Sequence, residues 1–272
     1  MQAPAAEGVI MTPASAELHD VGSVLAAGRE APIDLTIFIS CYNEEAYIIG
    51  TLETVRAALL EVGKLSHEIV VIEDCSSDRS AELVEGYIKD HPQERILLKR
   101  NKINQGLAES YCDAAFIGRG KYFRLICGDD AEPQDTIVAV LREIGHADMI
   151  IPYYVTAAGK SRYRRALSGA FTRLVNLISG HSLNYYNGLA VHLRHNVMRW
   201  HSNTRGFGFQ ADLICLLLDR GFSFKQVPVR TVERKGRGST ALSFKNVLSV
   251  AHTLLDLTLR RIANRVYRRR DF

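Results

Sequence analysis

From Leu35 onward the chain alternates between short apolar runs and longer stretches whose apolar residues recur at helical spacing. Leu35-Thr36-Ile37-Phe38-Ile39, Glu68-Ile69-Val70-Val71-Ile72, Arg95-Ile96-Leu97-Leu98 and the stretch from Tyr122 to Cys127 have strand length and are bounded by polar or turn-forming residues, which predicts four strands. Between them, the stretches from Ala46 to Leu60, Ser80 to Ile88 and Gly106 to Ile117 carry the spacing of helices with one apolar face. Apolar strands alternating with helices predict an α/β fold: a Rossmann-like, mostly parallel sheet flanked by helices on both faces. Residues 1 to about 30 sustain no apolar period and are dominated by Ala, Gly and Pro. They predict a flexible N-terminal arm over 1–32, with the folded domain beginning near Ile33.

At the other end the periodicity returns without strands. Val247, Leu248, Ala251, Leu254, Leu255, Thr258, Ile262 and Val266 recur at helical spacing, and six arginines follow Asp256. This predicts a basic amphipathic helical extension over 241–272. Such a helix can lie in the interface of an anionic bilayer, where each basic side chain contributes on the order of 1 kcal/mol. The same stripe also suits packing on the domain's own core or on a second copy in a homodimer.

Composition narrows the picture only modestly. The 272 residues, with a net charge of +4, are enough for one large α/β domain. No run of about 18 apolar residues lacks a charge, and the N-terminus lacks the basic start and apolar centre of a secretory signal. The expectation is a cytoplasmic protein, peripheral to the membrane if the last helix binds lipid. The five cysteines are odd in number and form no CxxC pair, which suits reduced thiols and argues against structural zinc. Basic residues are not interleaved with aromatic ones on a single face, so no nucleic-acid partner is expected.

The chemistry gathers after the strands. The first predicted strand runs into Ser40-Cys41-Tyr42-Asn43-Glu44-Glu45, the second into Glu73-Asp74-Cys75-Ser76-Ser77-Asp78, and the fourth into Gly128-Asp129-Asp130. In open α/β sheets ligands sit beyond the carboxyl ends of the strands, so three acidic loops would converge on one edge. Asp and Gly also form turns for reasons of backbone geometry alone. A carboxylate pair at a strand end, however, suits Mg²⁺ or Mn²⁺ whose remaining ligands are phosphate oxygens.

The ordered set Ser40-Cys41-Tyr42-Asn43-Glu44, Glu73-Asp74-Cys75-Ser76-Ser77-Asp78, Asn104-Gln105-Gly106 and Gly128-Asp129-Asp130 resembles the nucleotide-sugar half of family 2 glycosyltransferases of the GT-A fold. Asn187-Gly188-Leu189, Gly208-Phe209-Gln210-Ala211-Asp212 and the run from Arg234 to Ser239 look like the acceptor half, and the likeness over 33–240 is greatest to dolichyl-phosphate mannose synthase and related polyprenyl-phosphate glycosyltransferases. The resemblance implies a UDP- or GDP-sugar donor, inversion at the anomeric carbon, a divalent Mg²⁺ or Mn²⁺ ion and a lipid-phosphate acceptor. It implies nucleotide-sugar contacts from Ser40, Tyr42, Glu44, Asp74, Asp129, Arg234, Arg237 and Ser239. The metal falls on Asp129 and Asp130, with Asp130 in the usual ligand position, and Asp130 and Asp212 are the catalytic residues. Glu73 replaces the more usual Asp, Thr240 stands where related synthases often carry Lys, and the first carboxylate of the DXD-type motif is missing or shifted by one residue.

With a hydroxyl acceptor Asp212 would act as general base; with a lipid phosphate it would only orient, and the segment from Lys160 to Arg165 would offer a basic patch. Two rivals remain. One is the same fold acting on a soluble saccharide, and the other a catalytically silent nucleotide-sugar binding scaffold.

Overall fold

The computed structural model describes residues 31–156, 162–200, 208–230 and 244–267. Its sheet is assembled from β1 (Leu35–Cys41), β2 (His67–Glu73), β3 (Ile96–Arg100), β4 (Tyr122–Cys127), β5 (Met149–Thr156), β6 (Val191–Leu193) and β7 (Phe224–Arg230). The helices are α1 (Ile48–Val62), α2 (Ser80–Asp90), α3 (Leu107–Ile117), α4 (Gln134–Leu141), α5 (Arg162–Ser179), α6 (Arg194–Met198), α7 (Phe209–Asp219) and α8 (Phe244–Tyr267). Among the described residues the strand order is β3-β2-β1-β4-β6-β5-β7, with only β6 antiparallel to its neighbours. The α/β expectation and all four predicted strands are therefore present, together with the C-terminal helix.

The central strands show why the apolar runs are continuous. Leu35, Ile37 and Ile39 point into one layer with Leu52, Val55 and Ile69, while Phe38 points into the other with Val70, Tyr111 and Phe123. Each fully buried aliphatic side chain contributes about 1.5–3 kcal/mol, and a strand covered on both faces has no room for the polar alternation of an edge. Helix α1 buries Ile48, Thr51, Leu52, Val55, Ala58 and Leu59, one face of the helix, and stops at Gly63, whose φ of 64° is left-handed. At the edge, β3 is correspondingly more open, with Leu97 half exposed.

Strand register brings the loops together. Ser40 stands between Ile72 on β2 and Cys127 on β4, and Cys41 stands opposite Glu73, so β1, β2 and β4 end within a residue of one another. The side chains beyond those ends share one edge of the sheet.

A polar cluster lies inside the layer formed by α3, β6 and α7. Tyr111, His192 and Gln210 are buried together, with Gln210 close enough to act on both the Tyr111 hydroxyl and the His192 ring. Burial pushes His192 down from 6.5 to about 4, a shift that neighbouring Gln210 partly opposes. The ring is therefore neutral in the folded state while it protonates near its ordinary value in the unfolded chain. Its stabilising share is complete above pH 6.5 and is lost as pH falls towards 4. Between pH 7 and 4.5 this group should remove about 2–3 kcal/mol of stability. Urea unfolding of the wild type and of His192→Gln at both pH values measures it as the difference in pH dependence; equal dependence in the two proteins would contradict it.

Candidate active site

The first two acidic loops are tied to each other by their own side chains. The Asn43 amide donates to Ser76 Oγ at 3.0 Å, and Asn43 Oδ1 accepts from the Ser77 amide at 2.9 Å. The Glu44 amide donates to Ser80 Oγ at 2.9 Å, the Glu45 amide to Asp78 Oδ2 at 3.1 Å, and Glu45 Oε2 accepts from the Arg79 amide at 2.9 Å. Short polar residues on both sides replace the helix caps and turn bonds that an isolated loop would need. Burial works to raise Asp78, but bonds from the Ser80 hydroxyl and the Glu45 and Ser80 amides outweigh it and hold the carboxyl below its usual range. Three non-glycine residues have left-handed backbones among the described residues: Asn43 (φ 54°), Cys75 (φ 64°) and Asp130 (φ 49°), one in each acidic loop. Such conformations are uncommon outside glycine, and here they gather at the sheet edge that the sequence singles out.

Ser40 is partly buried and Tyr42 is about half exposed at the rim. Asp74 is buried, and its carboxylate is fully engaged: Oδ1 accepts from Asn101 Nδ2 at 2.8 Å and the Gln105 amide at 2.9 Å, and Oδ2 from the Gly106 amide at 2.8 Å. It therefore anchors the Asn104-Gln105-Gly106 turn at the start of α3, where the free amides of a helix N-terminus favour an anion. Asp74 and this turn, which the sequence suggests as two separate motifs, form one unit.

The third loop separates its two carboxylates. Gly128 donates its amide to the Ser40 carbonyl at 2.8 Å, and a Cβ at Gly128 would lie 2.4 Å from that oxygen, so only glycine allows the loop to lie against β1. Asp130 turns back towards α1. Its amide donates to Thr51 Oγ1 at 2.9 Å, Thr54 Oγ1 donates to its Oδ1 at 3.2 Å, and its Oδ2 lies 2.9 Å from where a Cβ on Gly50 would stand. Asp129 instead belongs to the group around Cys127. Burial pushes the Cys127 thiol up to about 12, followed by the charges of Asp129 and Glu132; a Ser40 hydrogen bond opposes the shift, and Glu44 adds to it. Asp130 is thus held by α1 through its backbone amide and one carboxylate oxygen, while Asp129, Ser40 and Glu44 all act on Cys127.

Beneath this loop lies a feature the motif reading missed. Arg124 on β4 is completely buried, ion-paired through Nη2 with Glu132, and donates from Nε to the Leu189 carbonyl at 3.2 Å. Arg124 thus joins the segment after Asp129-Asp130 to Asn187-Gly188-Leu189. Burial raises the Glu132 carboxyl, with Arg124 pulling against it and Asp129 adding to it. The signal available in sequence is an arginine between Phe123 and Leu125 in an otherwise apolar strand, which demands a buried partner.

Asp212 lies in the first turn of α7, buried, with Oδ2 accepting from Trp200 Nε1 at 2.8 Å and Oδ1 paired with Arg260 of α8. Trp200 is a buried anchor, set edge-on to Tyr111 and tilted against Phe209. Arg234, Arg237 and Ser239 lie outside the described residues, as do Lys160 and Ser161. No group of three or more His, Cys, Asp or Glu side chains that could hold a metal occurs among the described residues. No described helix is long and apolar enough to cross a membrane.

The layered sheet, the carboxylate loops at its edge and the C-terminal helix define a GT-A-like fold. The glucosyl-3-phosphoglycerate synthase of Mycobacterium tuberculosis, crystallised with uridine diphosphate, superposes with a TM-score of 0.61 at 16% identity, over 88% of this chain and 84% of that one. The same synthase with Mn²⁺, UDP and glucosyl-3-phosphoglycerate gives a TM-score of 0.58 at 14% identity, over 84% and 80%. The signature of Glycosyl transferase family 2 matches residues 36–201, and the chain belongs to that family. A dolichyl-phosphate beta-glucosyltransferase of Dictyostelium discoideum is 30% identical over 132 residues, 46% of this chain and 40% of the relative. An undecaprenyl-phosphate 4-deoxy-4-formamido-L-arabinose transferase of Pseudomonas aeruginosa is 30% identical over 162 residues, 59% of this chain and 45% of the relative. The matches thus span less than half the length of these two curated relatives.

Proposed function

We propose that the chain is a metal-dependent, inverting glycosyltransferase that moves a sugar from a UDP- or GDP-sugar to a polyprenyl phosphate or another membrane-associated acceptor. The observation that carries this reading is the meeting of three carboxylate-bearing loops at the ends of β1, β2 and β4 in a chain of this family. Relatives named for dolichyl- and undecaprenyl-phosphate transfer support the acceptor class, and a fold neighbour crystallised with UDP and Mn²⁺ supports the donor class.

The donor set fits a divalent cation held jointly by protein and substrate. One carboxylate, Asp129, with diphosphate oxygens completing the shell, is the arrangement Mg²⁺ and Mn²⁺ favour; an all-protein cage is not needed. When bound, such an ion supplies counter-charge to the departing nucleoside diphosphate. Asp130 supports the loop through α1. Ser40, Tyr42 and Glu44 line the nucleotide side, and Asp74 acts there by fixing the turn at 104–106. Arg234, Arg237 and Ser239 are assigned to the diphosphate on their motif alone. On the acceptor side a phosphate oxygen, already anionic near neutral pH, attacks the anomeric carbon as the bond to the diphosphate breaks. The engagement of both Asp212 oxygens suits orientation more than proton abstraction, and so favours an acceptor that needs no base.

The C-terminal helix suits work at the cytoplasmic face of a membrane. Leu248, Leu255, Leu259, Ile262 and Val266 are each more than half exposed along one side of α8, so this stripe is not absorbed by the domain's own core. Arg265 lies among them, exposed. An apolar stripe with basic flanks matches an anionic lipid surface.

A donor screen tests the reading: nucleotide release from UDP- and GDP-sugars with Mn²⁺, with polyprenyl phosphate in anionic vesicles present or absent. Release from one donor class, accelerated by the lipid phosphate, is expected. Nucleotide binding without turnover on lipid or saccharide would leave a binding scaffold, and acceleration by saccharides alone would move the acceptor into solution.

A further inference from the structure

Helix α8 turns a mixed polar and apolar side to the protein, with Leu257 buried in the core. Thr253, Leu257, Arg260 and Asn264 recur at helical spacing and face the domain, opposite the exposed apolar stripe. Thr253, Arg260 and Asn264 run along α7 in register. A Cβ on Gly208 would lie 2.0 Å from Thr253 Oγ1, Arg260 Nη1 donates to the Asp212 carbonyl at 3.2 Å, and Asn264 Nδ2 donates to Asp219 Oδ2 at 3.4 Å. Three contacts in the same order on both helices set α8 parallel to α7.

The middle contact is the one with chemical content. Arg260 reaches Asp212 with two prongs, one to the carboxylate and one to the backbone carbonyl, and the side chains are only 22% and 5% exposed. A nearly buried pair is poor at stabilising a fold compared with apolar packing, but it fixes geometry, and loss of one member leaves the other uncompensated. The remaining Asp212 oxygen is held by the indole of Trp200, the sole tryptophan of the chain. Helix α7 ends just before β7 begins, so its first turn lies towards the sheet end that carries the carboxylate loops.

We propose that Arg260 is a positioning residue: it locks Asp212 against Trp200, so that the first turn of α7 meets the acceptor in one geometry. The basic C-terminal helix is then a working part of the transferase and not an appended anchor. This rests on the acceptor-side assignment of Asp212 given above.

The test compares wild type, Arg260→Ala, Arg260→Lys, Asp212→Asn and the Arg260→Ala/Asp212→Asn double variant. Tryptophan emission, UDP affinity, and kcat and KM for polyprenyl phosphate are read on each. Arg260→Ala is expected to shift the Trp200 emission and lower kcat about 30-fold or more, with UDP affinity within about twofold. Arg260→Lys, which keeps the charge but only one prong, is expected to recover part of the rate, and the double variant to be no slower than the worse single one. Arg260→Ala turning over within about threefold of wild type despite an altered emission would reduce the pair to a helix staple and overturn the proposal. Losses that multiply in the double variant would also overturn it. If Arg260→Ala does not fold, the Arg260→Lys rate and emission decide in the same way. A wild type that transfers no sugar to any lipid phosphate would instead remove the acceptor assignment itself.

Discussion

Asp129→Asn is expected to lower kcat/KM for the sugar nucleotide by about 10²–10³-fold, the loss typical when a group aimed at transition-state charge is removed. The substitution keeps shape and hydrogen-bonding capacity but removes the charge that would hold a cation beside a diphosphate. Asp130→Asn is expected to lower the same constant less than about tenfold, because its Oδ1 accepts from Thr54 and its backbone is held by Thr51, contacts that an amide can largely keep. Steady-state rates at saturating Mn²⁺ separate the two. A larger loss at Asp130 than at Asp129 would favour Asp130, the ligand position the resemblance implies, and overturn the proposed role of Asp129.

Arg124→Met is expected to destabilise the protein by about 3–5 kcal/mol, because it leaves Glu132 without its partner in a site largely withdrawn from water. Arg124 is completely buried, and its guanidinium is the link between β4, Glu132 and the Leu189 carbonyl. Replacing both members, Arg124→Met with Glu132→Leu, is expected to recover a good part of that stability, since apolar pairs of similar volume substitute well for buried ion pairs. The activity should not recover with it, because the loop carrying Asp129 then loses its tether to the 187–189 segment. Urea unfolding and donor turnover on the single and double variants check both halves. A double variant as unstable as the single one would contradict the expected compensation.

The nucleotide half of the fold is legible from sequence because its signals are local. Each of the four predicted strands is a short, mostly apolar run, each is followed by a polar loop, and parallel register at β1, β2 and β4 then brings the loops together without further information. The second half is not legible in this way. Strand β6 has three residues, and it exists only because it fits between β4 and β5 as the one antiparallel member. No periodicity can be read from so short a run.

Site residues divide along the same line. The three loops are readable as motifs, but how Asp130 is held depends on its left-handed backbone and on two threonines of α1, contacts that span 76 and 79 residues. Asp74 reads as a nucleotide-sugar contact from the resemblance, but the three hydrogen bonds it accepts from Asn101 and the 105–106 backbone have no sequence signature. The apolar stripe of α8 is visible in sequence, but its direction is not. An amphipathic pattern fixes that two faces differ, and only the contacts of Thr253, Leu257, Arg260 and Asn264 show which one is turned inward.

If Asp129 and a donor diphosphate hold a divalent cation together, calorimetric titration of UDP and GDP into the wild type, Asp129→Asn and Asp130→Asn, each with and without Mn²⁺, will show it. Mn²⁺ is expected to tighten nucleotide binding at least about tenfold in the wild type and in Asp130→Asn, and to leave Asp129→Asn unchanged. Tightening by Mn²⁺ that survives intact in Asp129→Asn would contradict it.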